Sequence, residues 1–178
     1  MLPTRLLSVA VLLALAVPAA GQQPTLEYDV KAAFILNFVR YVEWPPLERQ
    51  PPLEICVLEP NPFGDRLTAV VAGEEWHGGA VHVRLLPDMR RATGCHLLYV
   101  PAAATARFTA GADLVAARPI LTVGEHERFL DQGGMLRLFV EENRVRFSVN
   151  QGSADRAGLQ ISSRLLRLAR SVIAAGTS

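Results

Sequence analysis

The sequence predicts a three-layer α/β domain: a mostly parallel sheet with helices on both faces, and a C-terminal antiparallel hairpin followed by a helix. Two observations indicate this class. Short apolar runs typical of buried strands alternate with helical stretches between residues 53 and 131. Two alternating runs then follow each other directly, at residues 135–141 and 144–149, which is typical of a hairpin.

The first half of the chain predicts a helix over residues 27–41, because Val30, Phe34 and Phe38 recur at helical spacing before Pro45 and Pro46. The Asn61-Pro62-Phe63-Gly64 turn separates a strand from a short helix closed by Gly73. The remaining predictions are strands over 53–58, 81–86 and 95–100, a helix over 66–72, a polar loop over 74–79, and a connector over 88–93.

The second half predicts an Ala-rich helical stretch over 101–117, which Pro119 ends, and a buried strand over 120–123. A short helix is expected over 125–131, anchored by Phe129 and broken at Gly133. After the hairpin come a helical turn near 153–157 and a final helix that reaches residue 174 from a Ser162 or Ser163 cap.

Residues 1–21 have the layout of a secretory signal peptide: Arg5, an apolar run over 6–17, and small residues near 17–21. The apolar run is shorter than the roughly 20 residues that a membrane-spanning helix needs. An uncleaved N-terminal anchor is the alternative. Cleavage leaves one domain, residues 22–178, outside the cytosol and without membrane insertion.

Charge and motifs exclude several functions. The chain has 18 basic and 17 acidic side chains, and Lys31 is its only lysine. Without a basic stripe, nucleic-acid binding is not expected. No motif of a catalytic nucleophile, phosphate loop or zinc site occurs, and the four histidines form no close pair. We therefore predict no enzyme activity, no cofactor and no metal.

Cys56 and Cys95 are the only cysteines. In an oxidising compartment an even number favours a disulfide. Both lie in apolar strand-like segments, so two buried thiols are the alternative.

Two surfaces are candidates for binding. The hairpin face opposite the aliphatic one carries an aromatic among arginines, which is typical of interfaces, unless the last helix covers it. Its candidate partner residues are Arg137, Phe139, Arg144, Arg146 and Ser148. The final helix carries a stripe that either packs on the sheet or forms a dimer seam, consisting of Ile161, Leu165, Leu168 and Val172. Trp44 and Trp76 are expected to be exposed contact residues. The alternative is that Trp44 packs against the first helix.

Several motifs together resemble one family. They are Val30-Lys-Ala-Ala-Phe-Ile-Leu-Asn-Phe-Val, Glu43-Trp-Pro, Ile55-Cys-Val-Leu, Asn61-Pro-Phe-Gly, Cys95-His-Leu-Leu-Tyr-Val, Leu121-Thr-Val-Gly, Gly133-Gly-Met-Leu, Asn143-Arg-Val-Arg-Phe and Ala157-Gly-Leu-Gln-Ile-Ser-Ser-Arg-Leu-Leu-Arg-Leu-Ala. In this order they resemble the YfiR family of periplasmic proteins.

This resemblance implies a periplasmic repressor that binds the sensor region of an inner-membrane diguanylate cyclase, lowers cyclic di-GMP and biofilm output, responds to redox stress, and forms a homodimer. Glu59 and Ser148 depart from the residues usual in relatives, and a second cysteine pair found in some relatives is missing. A redox switch must therefore depend on Cys56 and Cys95, whose bridge is expected to support the strands behind the partner surface. A small-ligand sensor, with the Asn61 turn as a wall, is the alternative function.

Overall fold

The computed structural model describes residues 23–46 and 51–174, so the predicted leader lies outside the described residues. The helices in this part are α1 (Gln23–Arg40), α2 (Arg66–Val71), α3 (Thr105–Gly111), α4 (Gln151–Arg156) and α5 (Ser163–Leu168). The strands are β1 (Val42–Glu43), β2 (Leu53–Leu58), β3 (Glu75–Trp76), β4 (Gly79–Leu86), β5 (Leu97–Val100), β6 (Leu121–Gly124), β7 (Leu136–Glu141), β8 (Arg144–Asn150), β9 (Gln160–Ile161) and β10 (Val172–Ile173). Short 3-10 turns cover Met89–Ala92, Ala102–Ala104 and Ala112–Leu114.

Within the described residues, the central sheet has eight strands in the order β10-β8-β7-β6-β5-β2-β4-β3. The five strands from β4 to β7 in that order are parallel to one another. β8 is antiparallel to β7, and β3 is antiparallel to β4. The predicted fold class is confirmed, and the hairpin lies towards one edge of the sheet.

Two apolar clusters cover the two faces of the sheet. On one face, α1 and α2 pack on alternate residues of the strands, with Phe38, Ile55, Leu67 and Phe147 among the buried side chains. On the other face, α3 and the chain after β6 supply Phe108 and Phe129 to a smaller cluster. Period-two alternation along parallel strands explains this division, because neighbouring residues point to opposite faces.

The predicted helix over residues 125–131 is wrong, since this segment is a series of turns. The chain closes around the Phe129 ring, and a Cβ placed on Gly134 would lie 2.2 Å from that ring. Gly134 N–H donates to the Phe129 carbonyl, which fixes the tight return. Burial of one aromatic ring thus overrides a weak helical pattern.

Two further boundaries differ from the predictions. The loop predicted over 74–79 contains β3, which pairs with the start of β4. The final helix ends at Leu168 instead of residue 174, because the backbone then bonds to the sheet edge: Arg170 N–H donates to the Phe147 carbonyl, and β10 pairs with β8. The Ser162 cap is confirmed, as its hydroxyl accepts from Leu165 N–H at 3.2 Å.

A search of the described residues found no helix both long enough and apolar enough to cross a membrane.

Candidate protein-binding surface

An open groove of about 530 Å³ lies between the start of α1 and the tip of the hairpin. We call it the hairpin groove, and its lining consists of Leu26, Glu27, Val30, Val140, Asn143, Arg144 and Val145. Leu26 is 66% exposed and Val140 is 47% exposed. Apolar side chains that converge in an open concavity are typical of a docking site, whereas single exposed ones are ordinary.

The local sequence explains why this groove stays open. Glu142 and Asn143 form a two-residue turn with φ of 50° and 58°, which places Val140 opposite Val145 at the tip. Further down the same face, Phe147 packs against Phe38 of α1, with ring centroids 5.2 Å apart. The helix therefore covers the base of the hairpin and leaves the aliphatic row of its tip exposed.

The other face of the hairpin carries the predicted partner residues. The register pairs Arg137 with Ser148 and Phe139 with Arg146, so these four side chains share one face as expected. The Arg137 guanidinium lies 4.7 Å from the centre of the half-buried Phe139 ring. Arg144 is exposed and also lines the hairpin groove.

The last helix does not cover this face. Leu165 of α5 belongs to the apolar cluster that contains Phe147, so α5 packs on the opposite side of the sheet. Ser148 is buried, and its hydroxyl accepts a 2.8 Å hydrogen bond from Ser171. Arg146 Nε is buried without a hydrogen-bond partner among the described residues. Phe139, Arg137 and Arg146 are thus half-buried on a face that α5 leaves uncovered, whereas Ser148 is buried and hydrogen-bonded within the fold.

The prediction that the apolar stripe lies on one helix is wrong. Ile161 lies in β9, Leu165 and Leu168 lie in α5, and Val172 lies in β10. Leu165 is buried, but Leu168 is 68% exposed. The stripe divides because the chain leaves helical geometry after Leu168 to extend the sheet.

Cys56 and Cys95 form the predicted disulfide, with their Cα atoms 5.9 Å apart. The bridge joins Cys56 in β2 to Cys95, which lies just before β5. In the sheet, β6 lies between β5 and the hairpin. The bridge therefore does not lie in the hairpin itself, and its support of the strands behind the partner surface stays a prediction. Arg84 of β4 donates from Nη2 to both sulfurs, at 3.5 Å to Cys56 and 3.2 Å to Cys95.

A buried ionic cluster that the sequence patterns do not predict lies at the carboxyl ends of β5 and β6. The Lys31 ammonium lies 2.5 Å from the carboxylates of both Glu27 and Glu125. The side chains of Lys31 and Glu125 are only 4% and 8% exposed. Ala102 N–H donates to the second Glu125 oxygen at 3.0 Å. The signal was in the sequence: the only lysine of the chain lies within an apolar helix.

Burial and neighbouring charges act in opposite directions on the pKa of the Glu125 carboxyl in this cluster. Burial raises the pKa of the Glu125 carboxyl, but the hydrogen bond and charge of Lys31, together with Ala102 N–H, lower that pKa below its usual value. Burial, followed by the Glu125 charge, raises the pKa of the Tyr28 hydroxyl well above its ordinary value. The carboxylate therefore stays ionised and ties α1 to the end of the sheet.

The crevice expected for a small ligand is filled by the chain itself. Asn61 accepts from Phe63 N–H and donates to the Gly64 carbonyl, both at 3.0 Å, which closes the turn. Phe63 is fully buried, with its ring centroid 4.7 Å from that of Tyr99. The Asn61 turn therefore caps this end of the sheet.

Trp44 and Trp76 are buried, and their ring centroids lie 5.9 Å apart in an edge contact. The expectation that they are exposed contacts is wrong, because they fill the space beside α1. Among the described residues, no group of three His, Cys, Asp or Glu side chains is placed to hold a metal ion.

The fold and these surfaces define a three-layer α/β domain with an exposed apolar groove beside its C-terminal hairpin. The chain belongs to the YfiR/HmsC-like family, whose model matches residues 28–170. This family is regulatory rather than catalytic.

Two solved structures show the same fold at low identity. A conserved domain protein from Vibrio cholerae has a TM-score of 0.54 and 11% identity, over 82% of this chain and 60% of that chain. An ABC domain from Streptococcus pneumonia, solved in complex with L-Trp, has a TM-score of 0.51 and 12% identity, over 83% and 60%. This chain thus corresponds to about 60% of the length of either one, and at this identity the likeness extends to the fold alone.

Proposed function

We propose that the protein is an exported periplasmic repressor that binds the sensor region of an inner-membrane diguanylate cyclase through the hairpin groove and thereby lowers cyclic di-GMP signalling. The observation that carries the proposal is the exposure of Leu26, Val30 and Val140 in one groove, in a member of a regulatory family. Glu27 and Arg144 add one charge of each sign to the lining, which favours a partner segment with an apolar face and a polar margin.

Repression requires a difference in affinity between cyclase states. A ligand that binds both states equally shifts no equilibrium, however tightly it binds. The repressor therefore binds the inactive sensor conformation more tightly than the active one. The face with Arg137, Phe139 and Arg146 offers aromatic and guanidinium contacts on the other side of the hairpin from the groove.

The test is a binding measurement with charge placed in the groove. Val140→Asp puts a carboxylate where the partner would bury an apolar group, so we expect at least about tenfold weaker binding to the purified periplasmic region of the diguanylate cyclase that co-purifies with wild type. Leu85→Asp is the matched control, because Leu85 is also a strand residue, is 45% exposed, and lies in β4, far along the sheet. Equal binding by both variants would refute the assignment of the groove.

Oligomeric state is measured on the same proteins, since the sequence predicts a homodimer as one arrangement. Sedimentation equilibrium of wild type and Val140→Asp separates the two uses of the groove. Unchanged self-association, or none, is expected if the groove serves the cyclase. Dissociation of a wild-type dimer by Val140→Asp would assign the groove to a second copy of this chain instead.

A further inference from the structure

The Cys56–Cys95 bridge lies beside a cation that could act on its chemistry. Arg84 Nη2 reaches both sulfurs and also donates to the Thr93 carbonyl at 3.1 Å. The Glu54 carboxylate, 3.9 Å from Arg84 Nε, helps to hold the guanidinium in place. The Arg84 side chain is 43% exposed, so it connects a buried bridge to solvent.

The two cysteines of the bridge differ in how deeply they are buried. Cys56 is fully buried, whereas Cys95 is 5% exposed and lines an open pocket of about 320 Å³ with Thr93, His96 and Arg118. Arg118 donates to the Thr93 hydroxyl at 3.0 Å at the same pocket. Cys95 is therefore the less buried of the two cysteines and lies on the solvent side of the bridge, with Arg118 at the same pocket.

We infer that Cys95 is the sulfur attacked in thiol–disulfide exchange, and that Arg84 stabilises the thiolates that leave and so makes this bridge easier to reduce. This inference is independent of the proposed cyclase binding. It assigns a role to a residue that neither cysteine spacing nor compartment predicts.

The exchange with a dithiol balances in two steps. A donor thiolate attacks Cys95 Sγ, the bond between the two cysteine sulfurs breaks, and Cys56 leaves as a thiolate beside Arg84. The second donor thiolate then attacks the donor sulfur of the mixed disulfide, and Cys95 leaves as a thiolate at the same guanidinium. The donor is oxidised to a cyclic disulfide by two electrons, and the cysteine pair is reduced. A neighbouring arginine lowers thiol pKa values, which favours both departures.

The experiment uses the oxidised full chain equilibrated with mixtures of reduced and oxidised dithiothreitol, followed by alkylation and mass spectrometry. Arg84→Gln keeps length and polarity but removes the charge, so at a pH above the thiol pKa, where thiolates predominate, we expect the equilibrium constant for reduction to fall about tenfold, corresponding to a thiol pKa change near one unit. Arg84→Lys keeps the positive charge, so its equilibrium constant for reduction should be close to that of wild type. Arg118→Gln is the control. Arg118 lines the same pocket and donates to Thr93, but among the described residues it has no hydrogen bond to either sulfur.

The sign of the change in the equilibrium constant distinguishes an effect of the Arg84 charge on the thiolates from a purely structural effect of Arg84. If Arg84 only stabilised the oxidised fold through Thr93, its loss would loosen the bridge and make reduction easier, the opposite sign. Iodoacetamide alkylation of the reduced protein provides a second readout: the pH midpoint should lie higher in Arg84→Gln than in wild type. An unchanged or increased equilibrium constant in Arg84→Gln, with an unchanged midpoint, would overturn the inference.

Discussion

At the centre of the sheet, β5 and β6 are buried along their whole length, whereas in the hairpin β7 and β8 include half-buried residues and expose Val140 and Arg144 near the turn. The centre holds the disulfide and, at the carboxyl ends of its strands, the Lys31–Glu125 pair. The hairpin tip leaves Val140 exposed in an open groove. The difference indicates that stability depends mainly on the centre and partner recognition mainly on the edge.

The largest expected effect on stability comes from removing the disulfide. In the chain-entropy model, a loop of 39 residues is worth about 4 kcal/mol of unfolding free energy. Cys56→Ser with Cys95→Ser should lose about that amount in urea unfolding. Repression is then compared with wild type at equal periplasmic abundance. Since β6 separates the bridge from the hairpin, we expect equal repression per folded molecule, and weaker repression would show that centre and edge are coupled.

Breaking the buried ion pair should have the next largest effect. Lys31→Met leaves the Glu125 carboxylate buried without its main partner, so we expect a loss of about 3 kcal/mol in unfolding free energy. Arg40→Met is the matched control in the same helix, because Arg40 pairs with Glu74 but its side chain is 52% exposed. Screening by water limits that loss to less than about 1 kcal/mol. Similar losses in both variants would contradict a special role for the centre.

Acid should destabilise the centre with a defined sign. A carboxyl whose pKa is lowered in the folded state contributes stability above its unfolded pKa of about 4.3 and loses it as pH falls through the folded pKa. Wild-type unfolding free energy should therefore fall below about pH 5. In Lys31→Met, burial still raises the Glu125 pKa while Ala102 N–H remains to lower it, so the stabilising contribution of the ionised Glu125 should shrink. Parallel pH profiles for the two proteins would refute this account of Glu125.

The smallest effect is expected at the edge. Ser162→Ala removes the hydroxyl that caps α5, which typically costs about 1 kcal/mol. Ser163→Ala is the control, because Ser163 is exposed and begins the helix without capping it. Urea unfolding of both variants checks the difference. A loss as large as that of Lys31→Met would contradict the division between centre and edge.

Much of the fold could be predicted because its signals are local. The hairpin was predicted from alternation alone, and the bounds of β2 agree with the prediction. The errors arose where distant contacts decide: Phe129 drew residues 125–131 into turns, and the sheet edge ended α5 at Leu168.

The candidate site was less predictable than the fold. The row with Arg137, Phe139 and Arg146 follows from period two, so its shared face was found. The hairpin groove was missed because it needs Leu26 and Val140, which lie more than 100 residues apart in the printed sequence. Lys31 was noticed as the only lysine, but its partner Glu125 follows a strand that only the sheet order brings near.

The most direct test of the proposed function is repression of the diguanylate cyclase that co-purifies with wild type, reconstituted in lipid nanodiscs so that both membrane faces are accessible. The rate of cyclic di-GMP formation is measured while wild type, Val140→Asp or Leu85→Asp is titrated in. We predict that wild type and Leu85→Asp repress at the same concentration and that Val140→Asp needs at least about tenfold more. Repression by Val140→Asp at the wild-type concentration would contradict the claim that the hairpin groove holds the cyclase.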